Sequence, residues 1–256
     1  MYDMILRRLG NKSKLAADII QYFPPHKIYI EPFFGAGGLF FNKPKANCNI
    51  VNDIDSDVFN LFQVISNQKE EFENLFLNTP KHQDLFEYWK ENTETDSIRK
   101  AMRFIFLSNY SYLGKCNTLK LNSRNDVAQL YKGINETSKL LFEVQFANLD
   151  FRKFFKSISI EESEIDKTFI YADKPYSNTD DNYSTEWTIQ DDIDLLNVLE
   201  ETKIKYAVSE FEGSHFESLA LEKGLNKIVI GERQNLKNRR VEILLTNYLN
   251  ENTLFN

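Results

Sequence analysis

Short β-type runs alternate with helical stretches at both ends of the chain, and this alternation constrains the fold more than any other feature. Ile28-Tyr29-Ile30 is one such run, followed by Glu31-Pro32 and the turn Phe33-Phe34-Gly35-Ala36-Gly37-Gly38, which reads as a strand, a glycine turn and a helix start. A second run, Asn49 to Val51, ends at Asn52-Asp53, after which Val58, Leu61, Phe62 and Ile65 recur at helical spacing. Further runs lie at Glu143 to Phe146, Phe169 to Ala172, Tyr206 to Val208, Ile228 to Ile230 and Val241 to Thr246. A helix is expected to begin at Asp150 and another to cover Asp191 to Leu199. Strands alternating with helices predict an α/β sheet.

The middle of the chain has a different pattern. Apolar residues at Phe72, Leu75 and Phe76, at Leu85, Phe86, Tyr88 and Trp89, and at Ala101, Phe104, Ile105 and Leu107 give three amphipathic helical stretches. Asp126 to Leu141 reads as a fourth. Between them, Asn109 to Ser123 is rich in Ser, Asn, Tyr and Lys around Gly114, as in a loop or hairpin. The expected division is a sheet domain over 1–66 and 142–256, with an inserted, mostly helical domain over 67–141.

Composition excludes several classes. Cys48 and Cys116 are the only cysteines, too few for a disulfide framework or a cysteine-rich zinc site. His26, His82 and His215 are scattered, so no metal is expected. No apolar run approaches the ~18 residues that would span a bilayer, and residues Met1 to Gly10 lack the apolar core of a secretory signal. A cytoplasmic monomer without membrane contact is the expectation. The formal charge of −7 argues against a generally basic coat for nucleic acid, while leaving room for a local basic face.

Two elements carry the chemistry. The glycines of Gly35 to Gly38 allow positive φ and close approach of backbone to a ligand, and ligands of open α/β sheets bind beyond the carboxyl ends of the strands. Asp53, at the end of the next strand, is placed to accept bonds from ribose hydroxyls. There is no GxGxxG dinucleotide fingerprint, and Gly10-Asn11-Lys12-Ser13 lacks the strand and spacing of a phosphate loop. The second element is Asp173-Lys174-Pro175-Tyr176, which follows the strand Phe169 to Ala172. An acceptor beside a flat aromatic face suits a planar base carrying an exocyclic amine.

Taken in order along the chain, these elements resemble the Dam-like family of DNA adenine-N6 methyltransferases. Leu9-Gly10-Asn11-Lys12, Glu31 to Gly38, Asn52-Asp53, Asn148-Leu149-Asp150-Phe151, Asp173 to Tyr176 and Val241 to Tyr248 each have a counterpart in that family's motifs. The resemblance implies a Rossmann-like methyltransferase sheet with helices on both faces and an inserted target-recognition domain. It implies S-adenosylmethionine as cofactor and double-stranded DNA as partner.

The resemblance also implies roles. The cofactor would be held by Gly10, Lys12, Glu31, Pro32, Phe33, Gly35, Gly37, Asp53, Asp150, Phe151 and Asp173. Of these, Lys12 would take its carboxylate, Asp53 its ribose and Asp150 its adenosyl amino group. Asp150 is equally suited to cap the helix that follows. The target adenine would be flipped from the duplex, with Tyr176 stacked on it and its N6 bonded to Asp173 and to the carbonyl of residue 174. Asp173, Lys174, Pro175 and Tyr176 form the catalytic segment.

The family pattern has proline where this chain has Lys174. Proline fixes φ and lysine does not. An ammonium here could pair with Asp173 or repel a sulfonium, so impaired methyl transfer is expected, or it could point harmlessly to solvent or a phosphate. Basic groups for DNA are Arg7 and Arg8, then Lys115, Lys120 and Arg124 with Asn117, and Arg239 in a third cluster with Arg233, Lys237 and Arg240. A catalytically silent cofactor- or DNA-binding homologue and an RNA adenine methyltransferase are the alternatives.

Overall fold

The computed structural model describes residues 5–7, 10–111, 118–120, 126–176, 187–234 and 239–249. In chain order these form α1 (Ala16–Ile20), β1 (Ile28–Glu31), β2 (Cys48–Asn52), α2 (Ser56–Asn67), α3 (Lys69–Asn78), α4 (Gln83–Glu91), α5 (Ser97–Tyr110) and α6 (Asp126–Leu140). Then follow β3 (Val144–Ala147), α7 (Phe151–Ser157), β4 (Thr168–Ala172), α8 (Ile189–Glu201), β5 (Lys205–Phe211), α9 (His215–Glu222), β6 (Asn226–Gln234) and β7 (Arg239–Thr246).

The α/β fold expected from the pattern is present. The strands form one seven-stranded sheet in the order β3-β2-β1-β4-β5-β7-β6. β1 pairs in parallel with β2 and with β4, and β4 pairs in parallel with β5. β7 runs antiparallel between β5 and β6. The chain returns to start the other half of the sheet beside β1, so the β1/β4 boundary is the point where strand order reverses. A crevice opens at such a switch point, beyond the carboxyl ends of the strands. Glu31 ends β1 at that boundary, and Asp173 follows β4 there.

The chain divides into two compact units. One comprises residues 15–34, 43–54 and 147–256. Its central strands are buried at every position of β1 and β4, as parallel strands covered on both faces must be. The period of two sends Ile28, Ile30, Ile170 and Ala172 to one face, against Phe151 and Phe154 of α7, Leu195, Leu196 and Leu199 of α8, and Phe216 and Ala220 of α9. Tyr29, Phe169 and Tyr171 point to the other face, where the ring of Phe23, just after α1, lies 6.4, 4.6 and 5.3 Å from theirs. Neither α1 nor α9 stands out in the apolar pattern.

The other unit comprises residues 1–14, 35–42 and 55–146 and holds α2 to α6. Asp55 and Asp96 cap α2 and α5 by accepting bonds from backbone N–H groups one turn in. Trp89 of α4 meets Phe106 of α5 edge to face at 5.0 Å. The helix α5 continues through Asn109, where the sequence pattern predicts the start of a loop. The Asn109 amide donates to the carbonyls of Ile5 and Ile105, so a buried tertiary bond compensates a poor helix former. Beyond it, Ser111 and Leu119 make an isolated antiparallel bridge, consistent with the hairpin expectation. The glycine turn leads into a short 3-10 turn at Phe40–Asn42 and starts no α-helix, which corrects the sequence expectation.

Candidate functional site

In the sheet unit, three motif segments are tied together by one side chain. The Asn52 amide donates to the carbonyls of Pro32 (3.0 Å) and Leu149 (2.9 Å), and its oxygen accepts from the Leu149 N–H (3.0 Å). The Asp53 N–H bonds the Ala147 carbonyl, and the Asn148 amide bonds the Asp53 carbonyl. The loops after β1, β2 and β3 are thereby locked in register, and Asp53 and Asp150 are carried to the carboxyl edge of the sheet. Sequence reading assigns a role to Asp53 and none to Asn52. The signal was its position at a strand end, next to the acid expected to bind a ribose.

Asp150 caps α7, its carboxylate accepting from the Arg152 N–H at 3.0 Å. The Arg152 guanidinium also reaches Asp150 (3.1 Å), Asp194 (2.6 Å) and Asp191. Phe151 begins α7, and its ring lies 5.7 Å from Phe33 and 5.6 Å from Trp187. Phe33 and Trp187 meet edge to face at 5.5 Å, completing an aromatic trio beside Asp150. Sequence reading assigns Trp187 no role, and the structure places it beside Asp150's helix start.

A buried set of acids and tyrosines occupies the switch point. Glu31 accepts from the Tyr29 hydroxyl at 2.8 Å. Burial pushes its pKa up to about 8, against the hydrogen bond from Tyr29 and the charge of Lys43, while Asp173 and Asp53 push the same way as burial. Lys43 is buried too, its ammonium over the Tyr29 ring at 3.9 Å and bonded to the Pro44 carbonyl and Asn49. Loss of water lowers its pKa to about 8, with Glu31 opposing. Tyr171 shares a 2.7 Å hydrogen bond with Ser209.

Asp173 and Tyr176 are joined directly: the Tyr176 hydroxyl lies 2.9 Å from Asp173 Oδ1 and 3.0 Å from Glu242 Oε1 on β7. Its ring is buried against Phe211 at 4.6 Å. Burial first, then the charge of Asp173 and Glu242, drives the Tyr176 pKa well upward, so the phenol keeps its proton as a donor.

Lys174 takes neither of the positions expected of it. It is fully buried, with its ammonium 3.0 Å from Asp192 and 2.7 Å from Glu210. It therefore reaches no solvent and no phosphate, and its charge is met by carboxylates other than Asp173. The sequence gives no sign of this, because the two acids lie on α8 and β5 and meet the motif only in the fold.

In the helical unit, Gly10, Gly35 and Gly37 have φ of 92°, 54° and 68°, the left-handed region that favours glycine. A Cβ on Gly38 would fall 2.0 Å from Asn11 Oδ1, so Gly38 is where the segment before Lys12 packs onto the turn. Lys12 is buried. Of the residues expected to meet DNA, Arg7 and Lys120 are exposed, while Arg8, Lys115, Asn117 and Arg124 lie outside the described residues, as does the side chain of Arg239 at the start of β7. Among the described residues no group of three or more His, Cys, Asp or Glu could hold a metal ion, and no helix is long and apolar enough to cross a membrane.

Comparison with known proteins bears on this geometry. The family model for D12 class N6 adenine-specific DNA methyltransferase matches residues 9–234. The DNA adenine methylase of Serratia marcescens is 32% identical over 117 residues, covering 43% of this chain and 43% of that protein. The DNA adenine methylase of Escherichia coli K12 is 28% identical over 181 residues, covering 67% of this chain and 64% of its own length. The matches thus span less than two thirds of either methylase. The type II methyltransferase M.MjaIII of Methanocaldococcus jannaschii is 24% identical, with 95% of this chain and 98% of that protein covered.

Proposed function

The chain belongs to the D12 class of N6 adenine-specific DNA methyltransferases, and from that premise we propose that it methylates adenine N6 in double-stranded DNA with S-adenosylmethionine as donor. The observation that carries the reading is Asp173 at the switch point of the sheet, its carboxylate held by the Tyr176 hydroxyl. An oriented acceptor at that edge suits an exocyclic amine.

The residues present fit the cofactor. It is a cation joined to a planar purine, and the sheet edge offers acids beside the trio of Phe33, Phe151 and Trp187. Asp53 would take the ribose hydroxyls and Asp150 the adenosyl amino group, with the Phe151 backbone facing the ring. Glu31 and Pro32 shape the edge of the same strand. Gly10, Lys12, Gly35 and Gly37 are assigned to the methionine part on the motif resemblance. When bound, S-adenosylmethionine supplies an electrophilic methyl group on a sulfonium.

The chain's own residues make the amine reactive. The N6 lone pair is delocalised into the adenine ring. Bonds from N6 to the Asp173 carboxylate and to the carbonyl of Lys174 localise it and leave an acceptor for the departing proton. Tyr176 fixes the carboxylate, and in the DNA-bound state its ring would stack on the flipped base. The ammonium of Lys174 does not oppose this, because two carboxylates neutralise it where it lies. Residues 67–141 would supply target recognition, with Lys115, Asn117, Lys120 and Arg124 at the DNA and Arg7, Arg8 and Arg239 on phosphates.

The test is transfer of labelled methyl groups from S-adenosylmethionine to duplex DNA, with digestion to nucleosides. N6-methyladenine formed by the native chain and lost in Asp173→Ala is the expected result. Label in structured RNA alone, or cofactor binding without transfer, would replace this reading by one of its alternatives.

A further inference from the structure

Lys174 stands at the centre of a buried ion cluster. Its side chain and that of Asp192 are 0% exposed, and Glu210 is 2% exposed. Three aromatic rings surround the ammonium: Phe216 at 4.5 Å, Trp187 at 5.5 Å and Tyr176 at 5.8 Å. A buried ammonium is tenable only when paired, and here it has two acids.

Each acid reaches onward. Asp192 Oδ1 also accepts from the Trp187 indole N–H at 2.6 Å, and Trp187 packs on Phe33 and Phe151. Glu210 Oε1 accepts from the Phe211 N–H at 2.7 Å, and the Phe211 ring lies against Tyr176, which binds Asp173. Two chains of contact therefore leave one ammonium. One ends at the aromatic trio, and the other returns to the acceptor of the motif.

We propose that Lys174 is a positioning residue: its ammonium, clamped by Asp192 and Glu210, holds the loop that presents Asp173 and, through Asp192, the indole of Trp187 against Phe33 and Phe151. A proline ring would fix this loop at φ. The lysine fixes it from the far end of its side chain and adds an anchor for Trp187 that proline has no atoms to make. The catalytic consequence rests on the methyltransferase reading; the clamp itself does not.

The test uses Lys174→Met/Asp192→Val/Glu210→Gln, which stays close in volume, strands no buried charge and leaves no acceptor at 192 for the Trp187 indole. The chain has two tryptophans, so a Trp89→Phe background leaves Trp187 as the sole indole. In the folded variant, without cofactor, acrylamide quenching of Trp187 rises about threefold as the indole loses its anchor. In the methylation assay the KM for S-adenosylmethionine rises and kcat falls, together lowering kcat/KM by about tenfold or more. A purely structural role would lower the melting temperature and leave both readouts unchanged well below it.

Quenching and kinetic constants within about twofold of the parent overturn the proposal. If the triple variant does not fold, Asp192→Val, which removes the acceptor of the Trp187 indole and leaves the ammonium paired with Glu210, is read in the same way. A native chain that neither binds the cofactor nor methylates DNA overturns the functional reading, and the quenching measurement still decides the clamp.

Discussion

Glu31 ends a central strand with its carboxyl out of water, and its proton balance sets a pH dependence. A carboxyl whose pKa rises from its ordinary value to about 8 on folding binds more protons in the native state than in the unfolded one between those values. Stability therefore falls as pH rises through that window. Lys43 acts in the next window: with its pKa lowered to about 8, stability is regained as pH rises from there toward the ordinary lysine value. Glu31→Gln is expected to flatten the decline between pH 5 and pH 8, read by urea denaturation at several pH values; an unchanged slope refutes the assignment. Asp173→Ala is expected to lower kcat by about 10²-fold or more, since it removes an oriented acceptor for the reacting amine. At this scale the sequence was legible where a residue's role is local. Asp173 and Tyr176 lie in one short motif and are both legible there, although the hydrogen bond between them is visible only in the structure. The site's other side chains, Glu242, Trp187, Asp192 and Glu210, are supplied by separate elements, and only the sheet order brings them to the motif.

Two helix starts, those of α7 and α8, are stapled together by one arginine. Asp150 caps α7, while Thr188 and Asp191 form a capping box on α8, and Arg152 reaches Asp150, Asp191 and Asp194. Hydrogen bonds from Thr188 and Arg152 hold Asp191 below its ordinary pKa despite partial burial. These groups are a fifth to a third exposed, so solvent screens them. Arg152→Ala is expected to cost about 1 kcal/mol, less at high salt. Asp150→Ala should cost about 1 kcal/mol through the lost cap, whereas Asp150→Asn, a good cap, should cost only tenths. Calorimetric cofactor affinity, measured alongside, separates the two roles of Asp150, since a cap alone leaves affinity unchanged in both variants. The helix starts were readable because capping is a local code. The end of α5 was not, because buried bonds from Asn109 carry the helix past the point where its composition turns loop-like. The short 3-10 turn after the glycines was missed for the converse reason: strand, glycines and apolar residues are the usual prelude to a helix, and nothing local says that this one stops after three residues.

Across the whole chain, the net charge of −7 requires any DNA contact to be confined to particular faces. Each phosphate neutralised contributes about 0.9 to the slope of log affinity against log salt. Replacing Lys115, Lys120 and Arg124 together by Ala should therefore flatten that slope by about 2 to 3, and an unchanged slope would remove these residues from the interface. The alternation of strands and helices revealed the sheet, because parallel strands buried on both faces leave a plain apolar signature. It did not reveal the order of the strands, which depends on pairings between distant segments. That order has a consequence for synthesis. β7 is translated after every other strand of the sheet, yet it lies inside it, between β5 and β6, and carries Glu242 to the Tyr176 hydroxyl. A nascent chain that has released only β1 to β6 has an open slot in its sheet and a motif short of one of its acids. The site's hydrogen-bond network is thus completed last, once the strand that carries Glu242 has left the ribosome.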